Sequence, residues 1–168
     1  GGSVSQISPI SKRYAKALYG AVSHKVAILN ELRIIVKIIF GDVVVESFFS
    51  SRSHSDSQKL EVLSKAIQNN GLSEELSNFL KLLVNKGRIV HLKDTLTAYE
   101  ALVDADNGVI RGVVKSAVKL DADARHRIEG VVSHFVKKKV ILNYTEDPKL
   151  VGGVVAQVGG WTFEDTLD

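Results

Sequence analysis

Apolar residues recur with a helical period through the first two-thirds of the chain and then switch to alternation. Tyr14, Ala17, Leu18 and Ala21 fall at i, i+3, i+4 and i+7, and Ala15, Tyr19 and Val22 form a second stripe beside them. Pro9 suits a first helical turn and Ser8 can cap it. This opening helix carries two apolar faces where a surface helix needs one. A second helix is expected from Lys25 to Phe40, its polar residues Asn30, Arg33 and Lys37 confined to a narrow stripe. Val43 to Ser50 reads as a short helix, although Val43-Val44-Val45 also suits a strand. A polar loop, Ser50 to Ser57, precedes a helix from Asp56 to Asn69 with Leu60, Leu63 and Ile67 inward. Asn70-Gly71 stops it. Ser73 opens a fifth helix whose polar stripe is Glu74, Ser77, Asn78, Lys81 and Asn85, leaving Leu76, Phe79, Leu80, Leu82, Leu83 and Val84 apolar. A sixth helix, Ile89 to Ala105, presents Leu92, Leu96, Tyr99 and Val103.

After Asp106-Asn107-Gly108 the period changes. Ile110, Val114, Val118 and Leu120 share one face of an alternating segment, with Gly112 and Ser116 between, while Arg111, Lys115 and Lys119 face the other way. That is a strand with one wet side. Asp121 opens a helix with Ile128, Val131, Val132 and Phe135 inward. Val140, Leu142 and Tyr144 alternate, Leu150 to Val158 reads as another strand, and Trp161-Thr162-Phe163 closes the pattern. The expected fold is mainly α: a six-helix bundle over residues 1–105, then a small α+β domain of order β-α-β-β over 106–168, with room for one more short strand. Gly1-Gly2-Ser3 reads as an appended remnant and is left out of the fold.

Composition excludes more than it selects. The chain has 168 residues, no cysteine and no methionine. Disulfides, thiolate chemistry and cysteine zinc sites are therefore ruled out. The most apolar stretch, Val26 to Phe49, is broken by Asn30, Glu31, Arg33, Lys37, Asp42 and Glu46, unlike a spanning helix. A phosphate-binding Gly-x-x-x-x-Gly-Lys-Ser/Thr loop is absent. Of the five histidines, only His126 and His134 share a helix, and they lack metal-ligand spacing. No serine has a nucleophile-elbow context. An enzyme is not expected, nor a cofactor or a metal.

Two features call for a binding explanation. The formal charge is only +3, yet Lys137-Lys138-Lys139 adjoins a strand face bearing Arg111, Lys115 and Lys119. These six could meet an acidic partner helix or lipid headgroups. A helical nucleic-acid-binding module is the alternative, disfavoured because no aromatic is interleaved on that face. The other feature is the surplus apolar surface of the first and fifth helices, which suits a groove for an amphipathic helix of another chain.

Those segments resemble the delta subunit family of F-type ATP synthases, whose mitochondrial relative is the oligomycin-sensitivity-conferring protein. Arg13-Tyr14-Ala15-Lys16-Ala17-Leu18 is similar to the family's opening motif, and Leu80-x-Leu82-Leu83 through Asn85-Lys86-Gly87-Arg88-Ile89 to its Asn-Gly-Arg-Leu segment. Val114-x-Ser116-Ala117-x-x-Leu120, Lys139-Val140-x-Leu142, Asp147-Pro148-x-Leu150-Val151-Gly152-Gly153-Val154 and Val158-Gly159 follow in family order. Lys86 replaces the usual asparagine, and Glu164-Asp165-Thr166-Leu167 stands where the family has Asp-x-Ser-Leu.

The resemblance implies a non-catalytic stator subunit linking the catalytic head to the peripheral stalk. On that basis the bundle takes alpha-subunit N-terminal segments in a groove of Tyr14, Ala17, Leu18, Ala21, Phe79, Leu82 and Leu83, and residues 106–168 meet the b subunit. It further implies a protein monomeric in isolation and present once per complex. Such a protein lies at the cytoplasmic face of a bacterial inner membrane, or its organellar equivalent, and reaches the membrane only through the complex. Nucleic acid is not an expected partner. Family members continue past the position of Asp168 into a final helix, so the C-terminal end is expected to be truncated.

Overall fold

The computed structural model describes residues 7–164. Gly1-Gly2-Ser3, expected to be an appended remnant, and the end of the last motif, from Asp165, lie outside the described residues. The chain divides into two compact units, one up to Val103 and one from Asp104.

The first unit is helical: α1 (Pro9–Ala21), α2 (Lys25–Phe40), α3 (Val43–Ser50), α4 (Asp56–Asn69), α5 (Glu74–Asn85), a 3-10 turn (Ile89–His91) and α6 (Leu92–Asp106), which runs past the boundary. Side-chain caps set the starts. Ser8 accepts from the Ser11 amide, and Ser73 from the Leu76 amide. Ser55 and Gln58 form a reciprocal capping box at α4. Asp42 settles the ambiguous valine run as helix, because its carboxylate accepts from the Val44 and Val45 amides. The expected sixth helix starts late: Ile89–His91 forms the tighter turn, and Gly87 before it has φ of +67°.

One core joins these helices, with Leu32, Ile35, Leu63, Leu76, Leu80, Leu83, Leu92 and Tyr99 among its buried members. Ser77, expected on the polar stripe of α5, is turned into it. α2 is less enclosed than its composition suggested, since Val26 and Ile34 are exposed. At the end of α1, Lys25 acts as the missing cap. Its ammonium donates to the Tyr19 and Val22 carbonyls at 2.5 and 3.0 Å and lies 4.3 Å from the centre of the Tyr19 ring. Tyr19 meets Tyr99 edge to face, and the Tyr99 hydroxyl donates to the Lys25 carbonyl at 2.7 Å.

The second unit is a mixed four-stranded sheet of order β2-β1-β3-β4 covered by one helix. Its elements are β1 (Val109–Ser116), α7 (Ala122–Val136), β2 (Lys139–Glu146), β3 (Val154–Val158) and β4 (Trp161–Phe163). β1 and β2 are parallel, as a strand–helix–strand crossover requires. β3 returns antiparallel on the other side of β1, with β4 beyond it. Val114, Ile128, Val132, Leu142, Ala156 and Val158 form the core between sheet and helix. The Tyr144 hydroxyl lies 3.2 Å from both the Arg125 carbonyl oxygen and a Glu129 carboxylate oxygen and shares its one proton between them, tying β2 to α7.

Three expectations are corrected here. β1 ends at Ser116, so Val118 and Lys119 are not on the strand. β3 begins at Val154 rather than Leu150: Gly152 and Gly153 take φ of +69° and +76°, a left-handed pair that extended strand excludes. Phe135, expected inward, is exposed and rests against the Phe163 ring at 5.7 Å.

Gly112 lies opposite Val158 in the β1–β3 register, where an added Cβ would come within 2.4 Å of Val158 Cγ2 and 2.6 Å of the Gln157 carbonyl oxygen. Gly112→Ala is expected to lower unfolding stability of the second unit by about 1–3 kcal/mol, read by denaturant titration. A second expectation concerns alkali. Burial, with Glu75 adding, pushes the Tyr99 hydroxyl up to about 12 from its ordinary 10. Unfolded tyrosine ionises first, so this contribution to stability is intact below about pH 10 and is lost as pH rises toward 12. Tyr99→Phe is expected to flatten that decline while costing about 1 kcal/mol at neutral pH through the lost hydrogen bond.

Candidate functional site

The surplus apolar surface forms an open trench. It has a volume of about 400 Å³ and is lined by Tyr14, Ala17, Leu18, Ala21 and Val22 of α1 and its end, and by Glu75, Asn78, Phe79 and Leu82 of α5. Ser11, Ala15, Leu18 and Val22 turn inward at i, i+4, i+7 and i+11 and fill the core. Tyr14, Ala17 and Ala21 are rotated off that stripe; Ala17 and Ala21 are exposed, and Tyr14 is half-buried against the edge of the core. On α5, Leu82 is 43% exposed while its neighbour Leu83 is fully buried.

Six of the seven residues expected in the groove are thus brought together, and Leu18 serves both trench and core. Leu83 is the correction: it points into the bundle interior and lies outside the trench. The mixed face of α5 misled the assignment, since adjacent leucines lie about 100° apart around a helix and only one can face the opening. Val22, Glu75 and Asn78 were missed. The two polar residues carry a legible signal, because Glu75, Asn78 and Leu82 follow i, i+3, i+7 spacing.

Tyr14 sets the trench width. Its ring meets Phe79 edge to face at 6.1 Å between centroids, and its hydroxyl accepts from Arg88 Nη1 at 2.7 Å. The Arg88 guanidinium also lies 5.8 Å from the ring centre. α1 is therefore tied to α5 at one end of the trench, and the small Ala17 and Ala21 leave the rest open.

The six basic candidates of the second unit do not form one patch. Lys139 opens β2 opposite Val109, whereas Lys115 lies opposite Thr145. Six residues of strand separate them, or about 20 Å. Lys137 and Lys138 occupy the α7–β2 connection, where Lys137 takes a left-handed φ of 55°. Arg111 donates from Nε to Asp104 at 2.7 Å and is engaged. Lys119 follows the end of β1. Exposed Phe135 and Trp161, the latter stacked on Phe163 at 6.3 Å, add an aromatic feature that alternation did not reveal.

Among the described residues, no three or more His, Cys, Asp or Glu side chains are grouped to hold a metal ion. Among the same residues, no helix is long and apolar enough to cross a membrane.

Residues 10–168 match the family model of the ATP synthase delta (OSCP) subunit. The chain is 43% identical over 166 residues to ATP synthase subunit delta of Bdellovibrio bacteriovorus, covering 97% of this chain and 91% of that protein. It is 33% identical over 161 residues to ATP synthase subunit delta of Trichlorobacter lovleyi, covering 94% and 89% respectively. In fold it is similar to a chain in a cryo-EM structure of the Toxoplasma gondii mitochondrial ATP synthase hexamer, with a TM-score of 0.71 and 18% identity, covering 94% of this chain and 90% of that one. The match spans nearly the whole length at substantial identity, and the chain belongs to the ATP synthase delta (OSCP) subunit family.

Proposed function

We propose that this chain is a non-catalytic stator subunit of an F-type ATP synthase, joining the catalytic head to the peripheral stalk so that the head resists rotor torque. The helical unit, read as the family's six-helix bundle, seats an alpha-subunit N-terminal helix in the α1–α5 trench. The sheet unit, residues 106–168, meets the b subunit, with Lys137 to Lys139 and the exposed Phe135 and Trp161 as contact candidates. The protein lies at the membrane periphery as part of the complex. The observation that carries this reading is an open, apolar, preformed trench in a member of this family.

The physical case is mechanical. Rotation of a shaft drives synthesis only when the surrounding head is held still, so the joint must dissociate slowly and deform little. An apolar trench supports this because burial of an incoming helix's apolar face supplies the affinity. The trench is already formed, so binding costs mainly the ordering of the incoming segment. Tyr14, braced by Phe79 and Arg88, supplies a rigid aromatic anchor. Ala17 and Ala21 let the partner backbone approach closely, while Glu75 and Asn78 offer polar contacts that fix its rotation. Such a joint requires no acid, base or nucleophile.

Titration of the full chain with a synthetic peptide of the alpha-subunit N-terminus tests the reading. Saturable binding is expected. Tyr14→Ala should cost about 2 kcal/mol or more, roughly thirtyfold in affinity. Ala17→Leu, which fills the trench from an exposed position, should weaken binding at least comparably without loss of helix content. Equal affinity across the three proteins rejects the assignment. Leu82 and Leu83 separate binding from folding. Leu82→Ala is expected to weaken the peptide while changing stability by less than about 1 kcal/mol. Leu83→Ala is expected to lower stability by about 2–5 kcal/mol in denaturant titration.

A further inference from the structure

The α1–α5 trench is apolar along its length, but its two ends differ in charge. α1 and α5 run antiparallel beside it. Tyr14, near the start of α1, touches Phe79 and Arg88, in and just beyond the later part of α5. Glu75, in the first turn of α5, belongs to the other end. It adds to the upward shift of Tyr99, whose ring meets Tyr19 and whose hydroxyl donates to the Lys25 carbonyl just past the end of α1.

The Glu75 end is acidic. Among the described residues that line the trench, Glu75 is the one charged side chain, and it is exposed and in no ion pair of those residues. Glu74 precedes it, and Glu31 of α2 accepts from the Ser73 amide beside it. Against these stand His24, in the turn after α1, and Lys25, whose ammonium is held by the Tyr19 and Val22 carbonyls.

The Tyr14 end is basic. Arg88 donates to the Tyr14 hydroxyl, a neutral partner that leaves its charge uncompensated. Arg13 is exposed on the stripe of Ala17 and Ala21, at i, i+4 and i+8. Lys86 follows Leu82 by one turn, and Lys81 flanks Asn78 in the same way. None of these four is in an ion pair of the described residues. α1 has no acidic residue to offset them, and its Lys12 and Lys16 lie on its other flank with Ala98 and Leu102. α6 starts beside α1, where the Ser11 hydroxyl lies 3.5 Å from the His91 carbonyl oxygen, and there Lys93 balances Asp94. Around Gly87 and Val90, Arg52 and Lys59 are likewise balanced by Asp56 and Glu46.

Backbone dipoles do not override this difference. Those of α1 and α5 point in opposite directions and largely cancel, which leaves the side chains to set the field. Lys86 lies roughly 16 Å further along α5 than Glu75, at about 1.5 Å per residue. That is about twice the screening length of roughly 8 Å at physiological salt, so an occupant meets each end as a separate charge.

Resting on the reading of the trench as the seat of a partner helix, we propose that its charged ends fix which way round that helix lies. The occupant is an amphipathic helix with a cation at one end and carboxylates at the other. The cation lies over Glu75, and the carboxylates lie among Arg13, Lys86 and Arg88. A helix laid in reverse keeps its apolar contacts but sets like charges together at both ends, which is how the trench rejects it.

Two blocked amphipathic peptides of about fourteen residues, roughly 20 Å long as helices, test this on the isotope-labelled full chain. They share one leucine stripe. The first has two glutamates in its opening turn and two lysines in its last, and the second exchanges them. Each carries a nitroxide at its N-terminus, located by the amide NMR signals it broadens. The first is expected to broaden Tyr14, Lys86 and Arg88, and the second Ala21, Val22 and Glu75, so that charge and not chain direction decides. Glu75→Lys should weaken both peptides roughly fivefold, and added salt should narrow the preference. Glu75→Lys/Lys86→Glu should leave both peptides in mixed orientation, with helical circular dichroism checking that the variant folds. Saturable binding with the nitroxide at both ends alike, at the same end for both peptides, or with the order unchanged in the double variant would overturn the inference and leave the trench reading standing. Absence of any saturable shift at Ala17, Ala21 and Leu82 would overturn both.

Discussion

The contact of Tyr14 with Phe79 and Arg88 decides what the helical unit can do. A helix packed into a core closes every gap its side chains can reach, because interiors tolerate few voids. α1 escapes closure along one face because Ala17 and Ala21 are too small to span to α5, while Tyr14 spaces the two helices at one end. The hydroxyl of Tyr14, held by Arg88, resists rotation of the ring into the trench. An apolar opening is thereby kept as a stable feature of the folded chain.

The rest of the unit is arranged to make that opening affordable. α1 keeps Ser11, Ala15, Leu18 and Val22 for the core, and its end is capped by Lys25 and fixed through Tyr19 and Tyr99. α5 buries Leu76, Ser77, Phe79, Leu80, Leu83 and Val84, so that Leu82 alone among its leucines remains outside. In the sheet unit, stability rests on close backbone approach at Gly112 and on a single helix layer, and its charges are spread over the two ends of β1 and β2. Spread charges of this kind suit a broad contact with a protein partner better than a focused site.

Much of this was legible in the chain because helix caps and apolar period act locally. Ser8 and Ser73 mark helix starts by hydrogen bonds within one turn, and both do so in the fold, where Asp42 and Ser55 act in the same way. What was not legible depended on neighbours distant in sequence. Leu83 and Leu82 look alike to a periodicity argument, and only the packing of α1 and the core separates them. Ser77 is polar by type but sits where the core needs a small group. The end of β1 at Ser116 and the late start of β3 follow from sheet pairing and from the left-handed Gly152-Gly153 bend, which alternation cannot register. Lys137 to Lys139 are adjacent to β1 in the fold, but the parallel register places them at the end opposite Lys115.

The absence of cysteine from the chain permits one direct measurement. A single thiol introduced as Ala17→Cys, at the floor of the trench, can be labelled in the isolated subunit and again in the purified, assembled synthase. If the trench holds a helix of the catalytic head, the thiol reacts readily in the free chain and is strongly protected in the complex, and protection returns to the free-chain level when the alpha-subunit N-terminal segment is deleted. Equal labelling rates in the free and assembled states would show that the trench stays empty and would contradict the anchoring role.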